Sequence, residues 1–380
     1  MKVVVAMDSF KGSISSIEGS EAISLGIKDV YQDAEIRTIP LADGGEGTVE
    51  AFIHATGGKR IEKEVRGPLN EKVKAMYGIS GDGKTAIIEV AAACGLPLVP
   101  KEELNPLKAT TYGVGELIHD AIERGCRDFI IGLGGSATND AGVGMLQALG
   151  FRFLDEKKQE IGSGGGALRD IQHLITEQAN PLLKECTFQV ACDVNNYLYG
   201  KNGAAYVFGP QKGATEEEVK ILDAGLQHFA NKVREQLEIE IHAIEGAGAA
   251  GGLGAAFAGF LHAELKSGIE LVLNFVNMEN YMKDADLVIT GEGMLDGQTS
   301  MGKAPIGVAK LAEKYDVPVI ALAGAINHEN FTLHDHGMTS CFSILNAPMT
   351  TEEAMDFDRT FQNLRFTANQ LFRLVKAVKD

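Results

Sequence analysis

Positive charge is in short supply in this sequence. The 380 residues carry 35 Lys and Arg against 52 Asp and Glu, a formal net charge of −17. Nucleic acid and anionic membrane both need clustered cations, so neither is expected as a partner. An anionic small substrate stays open, because a few local cations in a cleft outweigh the global charge. Long apolar runs are missing as well. No window approaches 18 apolar residues, which excludes a membrane-spanning helix. The opening MKVVVAMDSF is too short an apolar run for a signal peptide and is interrupted at Asp8. The five cysteines, Cys94, Cys126, Cys186, Cys192 and Cys341, are odd in number and show no CxxC spacing. Most sit in apolar runs, so reduced thiols and a cytoplasmic location are expected. Motifs are absent too: there is no protein-kinase set, no G-x-S-x-G elbow and no metal-ligand His/Cys spacing.

Glycine, by contrast, is abundant. Its 45 residues are well above the usual ~7% and fit several ligand-facing loops better than one. The densest stretch is Asp128 to Gly150, DFIIGLGGSATNDAGVGMLQALG. Phe129-Ile130-Ile131 reads as a buried strand. Met145 to Leu149 reads as a helix closed by Gly150. Between them lie Gly132, Gly134, Gly135, Ser136, Thr138, Asn139 and Asp140. A strand, a glycine-rich turn with hydroxyls and a helix start together predict a cradle for phosphate or carboxylate.

The rest of the chain alternates strands and helices. Lys2–Met7 predicts a buried strand delivering Asp8-Ser9-Phe10-Lys11-Gly12-Ser13 at its carboxyl end, where ligands sit in open α/β sheets. Ser13 is placed as N-cap of a helix reaching about Val30. A strand at Glu35–Pro40 leads into LADGGEGT, with Asp43 and Gly44 at its end. From Arg60 the rhythm changes to a meander of short strands, Val65, Val73–Tyr77 and Thr85–Val90. Phe188–Val194 predicts another strand, ending in Asp193. Thr215 and Glu218 form a capping box for a helix to about Leu237. The doubly wound rhythm returns with Asp286–Thr290, the loop Gly291–Thr299 containing Asp296, and Lys303 before the next helix. The fold class expected is therefore α/β. Residues 1–62 plus 285–380 form a discontinuous doubly wound, Rossmann- or flavodoxin-like domain, and residues 63–284 form an inserted α/β domain carrying the Gly-rich loops.

What remains for chemistry is a set of Asp, Lys, Ser/Thr and Gly at strand ends. Phosphoryl transfer needs such a set: carboxylates for Mg²⁺ and for the hydroxyl proton, Lys for phosphoryl oxygens, and amides for nucleotide phosphates. A second reading is a dinucleotide-binding protein or oxidoreductase using Gly246–Gly251, a formal G-x-G-x-x-G. That fingerprint wants an acid closing the next strand, and Glu270 instead opens its apolar run.

The sequence resembles the bacterial type I glycerate kinases nearly end to end. The resemblance is carried by DSFKGS at Asp8–Ser13, LADGGEGT at Leu41–Thr48, GLGGSATND at Gly132–Asp140 and CDVNN at Cys192–Asn196. It continues through FGPQKGA at Phe208–Ala214, GAGAAGGLGAA at Gly246–Ala256, GEG and DGQT within Gly291–Thr299, and GKAPIGVA at Gly302–Ala309. It implies two α/β domains around a cleft and ATP- and Mg²⁺-dependent phosphorylation of glycerate, favouring the 2-hydroxyl, in glycerate, glyoxylate or sugar-acid catabolism. Three positions depart from the family pattern: Met294 stands where Arg is usual, Tyr197 where Pro is common, and Ala141 where Gly is usual.

Roles follow as expectations. Asp193 follows a fully apolar strand, and burial there would raise its pKa and suit it as proton acceptor. Asp296, in a wetter glycine-rich loop, is assigned to the metal. Lys11 is assigned to phosphate or the glycerate carboxylate, and Asp8 is grouped with the catalytic residues as a substrate-orienting carboxylate. Ser9, Asp43, Gly44 and Lys303 are assigned to substrate. Gly134, Gly135, Ser136, Thr138 and Asn139 are assigned to the nucleotide phosphates.

Overall fold

The computed structural model describes residues 1–42, 44–45, 47–297, 299, 303–327 and 332–379. The chain divides into two compact units, one comprising Met1–Asp43, Glu50–Ala55 and Gly268–Asp380, the other Gly44–Val49 and Thr56–Ser267.

The first unit begins with β1 (Lys2–Met7). Val3 to Met7 are all buried, so both faces of this strand are covered and its β-branched run does not need to alternate. The helix Ser16–Lys28 follows. Its N-cap is Ser15 and not Ser13: Ser15 and Glu18 bond reciprocally in a capping box, while the Ser13 hydroxyl pairs with that of Thr360 at 2.7 Å. β2 (Glu35–Thr38) pairs parallel with β1.

The second unit opens with the expected meander. β3 (Lys59–Arg66) and β4 (Lys72–Ile79) are antiparallel, as are β4 and β5 (Thr85–Glu89). β3 is a charged edge, which protects an open strand from further pairing. β6 (Asp128–Gly132) pairs parallel with β5. A two-stranded hairpin, β7 (Arg152–Leu154) and β8 (His173–Ile175), comes next. β9 (Thr187–Ala191) and β10 (Glu264–Lys266) complete a six-stranded sheet in the order β10-β9-β6-β5-β4-β3. Its core shows the sequence periodicities directly. The helix Tyr112–Glu123 buries Val114, Leu117, Ile118, Ala121 and Ile122, the spacing of one helical face. Phe129 and Phe188, opposite one another on β6 and β9, stack at 4.8 Å. The helix Glu216–Leu237 starts at the predicted Thr215–Glu218 box.

The chain then returns to the first sheet with β11 (Leu287–Leu295), β12 (Val319–Ile326) and β13 (Ser340–Ser343). The order is β13-β12-β11-β1-β2, every pair parallel. In order of appearance within this unit that is the 2-1-3-4-5 arrangement of the flavodoxin type, whose topological switch point lies between β1 and β11. The joins fall earlier than the sequence rhythm suggested. All of β3 pairs with β4 in the second sheet. The helix Gly268–Phe275 belongs to the first unit, where Phe275 packs on Phe52 at 4.3 Å.

Candidate active site

The first unit gathers charged side chains at its switch point. The Asp8 amide donates to Gly291 O at 2.9 Å, carrying the β1–β11 ladder one residue beyond the strand. The Asp8 side chain is only 4% exposed, and its Oδ1 accepts the Ser9 amide at 2.6 Å. Phe10 and Ile14 then close a tight loop through two backbone hydrogen bonds, with Lys11 exposed at its tip and Gly12 at φ +80°. On β11, Gly291 cannot carry a side chain, because a Cβ would lie 1.9 Å from Leu322 O. Glu292 follows it, 7% exposed. Its Oε1 accepts the Thr299 hydroxyl at 2.6 Å, and its Oε2 lies 3.8 Å from Lys303 Nζ. Lys303 stands at the N-cap of the helix Ala304–Glu313. The Asp296 amide donates to the Thr299 hydroxyl at 3.1 Å, and the Thr299 amide donates to Asp296 Oδ1 at 3.2 Å and to Asp296 O at 3.1 Å.

Adjacent strand ends therefore bring together Asp8, Ser9, Lys11, Asp296 and Lys303, all selected from sequence. Asp43 lies outside the described residues. Glu292 was not assigned a role, although an acid inside the run LVITGEGML was its signal. Met294 is 47% exposed.

The second unit has a different loop at the end of β6. A Cβ on Gly132 would lie 2.3 Å from Gly44 O, and one on Gly134 would lie 3.2 Å from Gly45 Cα. The segment Gly44–Val49 is thus seated on this loop, held also by the Val49 amide donating to Glu89 Oε1 at 2.9 Å. Gly44, expected at a substrate, contributes its carbonyl to that packing. Gly134 and Gly135 are exposed, and Gly135 has φ +76°. Ser136, Thr138, Asn139 and Asp140 are buried.

The helix start does not offer its amides to a ligand as expected, because Asp140 occupies them. Its carboxylate accepts the amides of Gly142 at 3.1 Å and Gly144 at 3.3 Å, together with the amide and hydroxyl of Thr111, both at 2.9 Å. Burial nevertheless pushes the Asp140 carboxyl above its ordinary range. Behind the loop, Lys212 is buried, and its Nζ donates to Ser136 Oγ at 3.0 Å and Thr138 O at 2.6 Å. Thr138 Oγ1 and both amide atoms of Asn139 are buried without a hydrogen-bond partner. The loop therefore carries more polar capacity than the protein itself satisfies. The exposed part of the loop narrows to Gly134 and Gly135, with buried Ser136 beside them.

One expectation, the burial of Asp193, is corrected here, and the alternative dinucleotide reading gains no support. Asp193 is exposed, two residues past Ala191, the last residue of β9. The burial that was to raise its pKa is missing. The Gly246–Gly251 stretch follows no strand. A Cβ on Gly251 would lie 2.0 Å from Thr138 O, and one on Gly252 2.6 Å from Ala141 Cα. These glycines let one loop pack against another, which accounts for them without a dinucleotide. Ala141 itself has φ +53°, a left-handed backbone that explains why glycine suits the position.

Among the described residues no three His, Cys, Asp or Glu are grouped to hold a metal unaided. Mg²⁺ bound with a nucleotide needs only one or two protein carboxylates beside phosphates and water. The carboxylates at the ends of β1 and β11 are donors of that kind, so they fit a nucleotide-borne Mg²⁺ and not a dedicated protein cage.

Comparison with known proteins gives a consistent result. A family model described as the glycerate kinase family matches residues 3–376. Glycerate 2-kinase of Escherichia coli K12 is 51% identical, with 93% of each chain covered. Glycerate kinase of Bacillus subtilis 168 is 48% identical over all of this chain and 99% of that one. A crystal structure from Salmonella typhimurium LT2, itself only provisionally assigned as a glycerate kinase 2, superposes with TM-score 0.91 at 44% identity. It covers all of this chain and 99% of its own.

Proposed function

The chain belongs to the glycerate kinase family, and on that premise we propose that it transfers the γ-phosphoryl group of ATP to the 2-hydroxyl of glycerate. The observation that carries this reading is the acid–lysine cluster at the β1/β11 switch point, where open α/β sheets take their ligands. Lys303, Lys11 and Ser9 hold the glycerate carboxylate. An anchored carboxylate fixes C2, one bond away, more tightly than C3, which favours the 2-hydroxyl as acceptor. Asp8, whose carboxylate is buried, accepts the hydroxyl proton, in place of exposed Asp193. Asp43 remains assigned to substrate orientation, and Asp193 to a lesser role. Gly134, Gly135 and Ser136 receive nucleotide phosphates through backbone amides and a hydroxyl, with Thr138 and Asn139 shaping the turn from inside. Asp296 would hold Mg²⁺, which neutralises phosphate charge when bound.

Five free cysteines fit a reducing cytoplasm, and no described helix is long and apolar enough to cross a membrane. The test is the product. With ATP, Mg²⁺ and glycerate, enolase added alone should convert the product and raise the phosphoenolpyruvate absorbance. Conversion only after phosphoglycerate mutase is supplied would make the enzyme a 3-kinase. No ATP consumption would reject the activity.

A further inference from the structure

Lys212 has no part in the roles above, yet among the described residues it is the largest buried charged side chain, at 2% exposure. An ammonium is an obligate donor. Its two described acceptors, Ser136 Oγ and Thr138 O, are both neutral and both lie in the turn after β6. The titratable groups facing it are the Cys94 thiol, from the short helix Ala91–Cys94, and the Asp140 carboxyl. Burial pushes the Cys94 thiol up to about 12, so it brings no charge. The Asp140 carboxylate is already committed to four donors, the amides of Thr111, Gly142 and Gly144 and the Thr111 hydroxyl. A positive charge thus sits directly behind an exposed glycine turn, with no carboxylate hydrogen-bonded to it.

We propose that Lys212 is a positioning residue whose buried ammonium both staples the Gly134–Ser136 turn and supplies the positive potential that draws a nucleotide phosphate onto it, so that nucleotide affinity depends on its protonation. This rests on the reading that phosphates bind at that turn. Field strength favours it, since charge is screened far less in a protein interior than in water. Burial also pulls the ammonium down to about 8, so the charge leaves within an accessible pH range. By reciprocity, a bound phosphate raises that value again.

The experiment measures ATP affinity of the full chain, with Mg²⁺, by calorimetry from pH 7 to 10, alongside KM for ATP and kcat. In the wild type the dissociation constant should rise roughly five- to 50-fold across this range, with kcat changing much less. Lys212→Arg, which keeps the charge throughout, should flatten that rise. Lys212→Met, if it folds, should bind weakly at every pH. Ser136→Ala removes one acceptor and leaves the ammonium, so it should weaken binding modestly and keep the pH dependence. A wild-type affinity constant across the range, or an Arg variant with the same rise, overturns the proposal. Gly134→Val separates this from its premise. If that variant binds ATP normally, phosphates do not bind at the turn and the underlying reading fails. If it loses binding while wild-type affinity is flat, only the role of Lys212 fails.

Discussion

Both units end parallel strands in loops fit to meet an anion, but they build those loops differently. At β1 and β11 the loops present charged side chains: Lys11 exposed, Lys303 half-buried near Glu292, and Asp8 buried beside them in sequence and register. After β6 the charged side chains face inward. Asp140 spends its carboxylate on four donors of its own unit, Lys212 bonds the back of the turn, and the surface shown outward is glycine backbone. A side-chain site can orient a substrate and move its proton. A backbone site meets phosphate with amides and keeps its charged side chains behind the turn. On the proposed function, the difference gives chemistry to the first unit and anchoring to the second.

Mutations can break that contrast. The largest effect is expected at Asp8. Asp8→Asn keeps size and most hydrogen bonding but cannot accept a proton, so kcat should fall by roughly 10²–10⁴. Asp193→Asn should cost less than about tenfold, since an exposed carboxylate at the end of β9 has no burial to tune it. Steady-state kinetics of the pair decides, and equal losses would erase the distinction. Next in size is Gly132→Ala. Its Cβ meets Gly44 O at 2.3 Å, and because backbone cannot rotate away as a side chain can, the loss should be about 1–3 kcal/mol in chemical denaturation, with a weaker affinity for ATP. Normal stability and affinity would show that the Gly44–Val49 segment is not seated on the β6 loop as described.

The smallest effect concerns the second unit's buried charge away from the loop. Asp120 receives Lys63 at 2.9 Å, Arg124 at 2.7 Å and Tyr77 at 2.7 Å, tying the helix Tyr112–Glu123 to β3 and β4. Burial pushes its carboxyl up, but the hydrogen bonds from Arg124, Tyr77 and Lys63 outweigh this and hold it at about 2, against an ordinary 3.8. A depressed pKa stabilises the fold above 3.8, and that contribution is lost as pH falls through about 2. Unfolding of wild type and Asp120→Asn should therefore differ by about 1–2 kcal/mol at pH 6, discounted for solvent screening, with the gap closing below 3.8. A gap independent of pH would mean that packing, not charge, makes the tie.

Much of this was legible in the sequence. Uninterrupted Val-Val-Val announced a strand covered on both faces, and Thr215 with Glu218 announced a helix start. The same capping rule, S-x-x-E, points to Ser15 with Glu18, so Ser13 was chosen against an available signal. The burial expected of Asp193 does not hold for a physical reason: the buried residues of a strand are evidence about its own burial, not about the residue two places beyond its end. Lys212 had no sequence signal. A lysine between Gln and Gly reads as solvent-facing, and only tertiary packing encloses it. Nor does a glycine motif reveal whether ligand or protein backbone approaches it. Gly134 and Gly251 look alike in sequence, yet one is exposed and the other lies against Thr138 O.

The pairing of β1 with β11 also sets an order of events. Val3 lies opposite Leu287, a partner 284 residues away, as for the neighbouring bond from Lys2 to Asp286. At translation rates of roughly 5–20 residues per second, β1 leaves the ribosome roughly 15 to 55 s before β11 is made. The intervening unit has its own sheet and core and can close during that interval. The first unit cannot, and its Val3–Met7 run stays without a partner on the β11 side while synthesis continues. The centre of the charged site therefore cannot form until the second unit has been made, and a nascent chain interrupted before Leu287 carries an open β-strand edge available to chaperones or to aggregation.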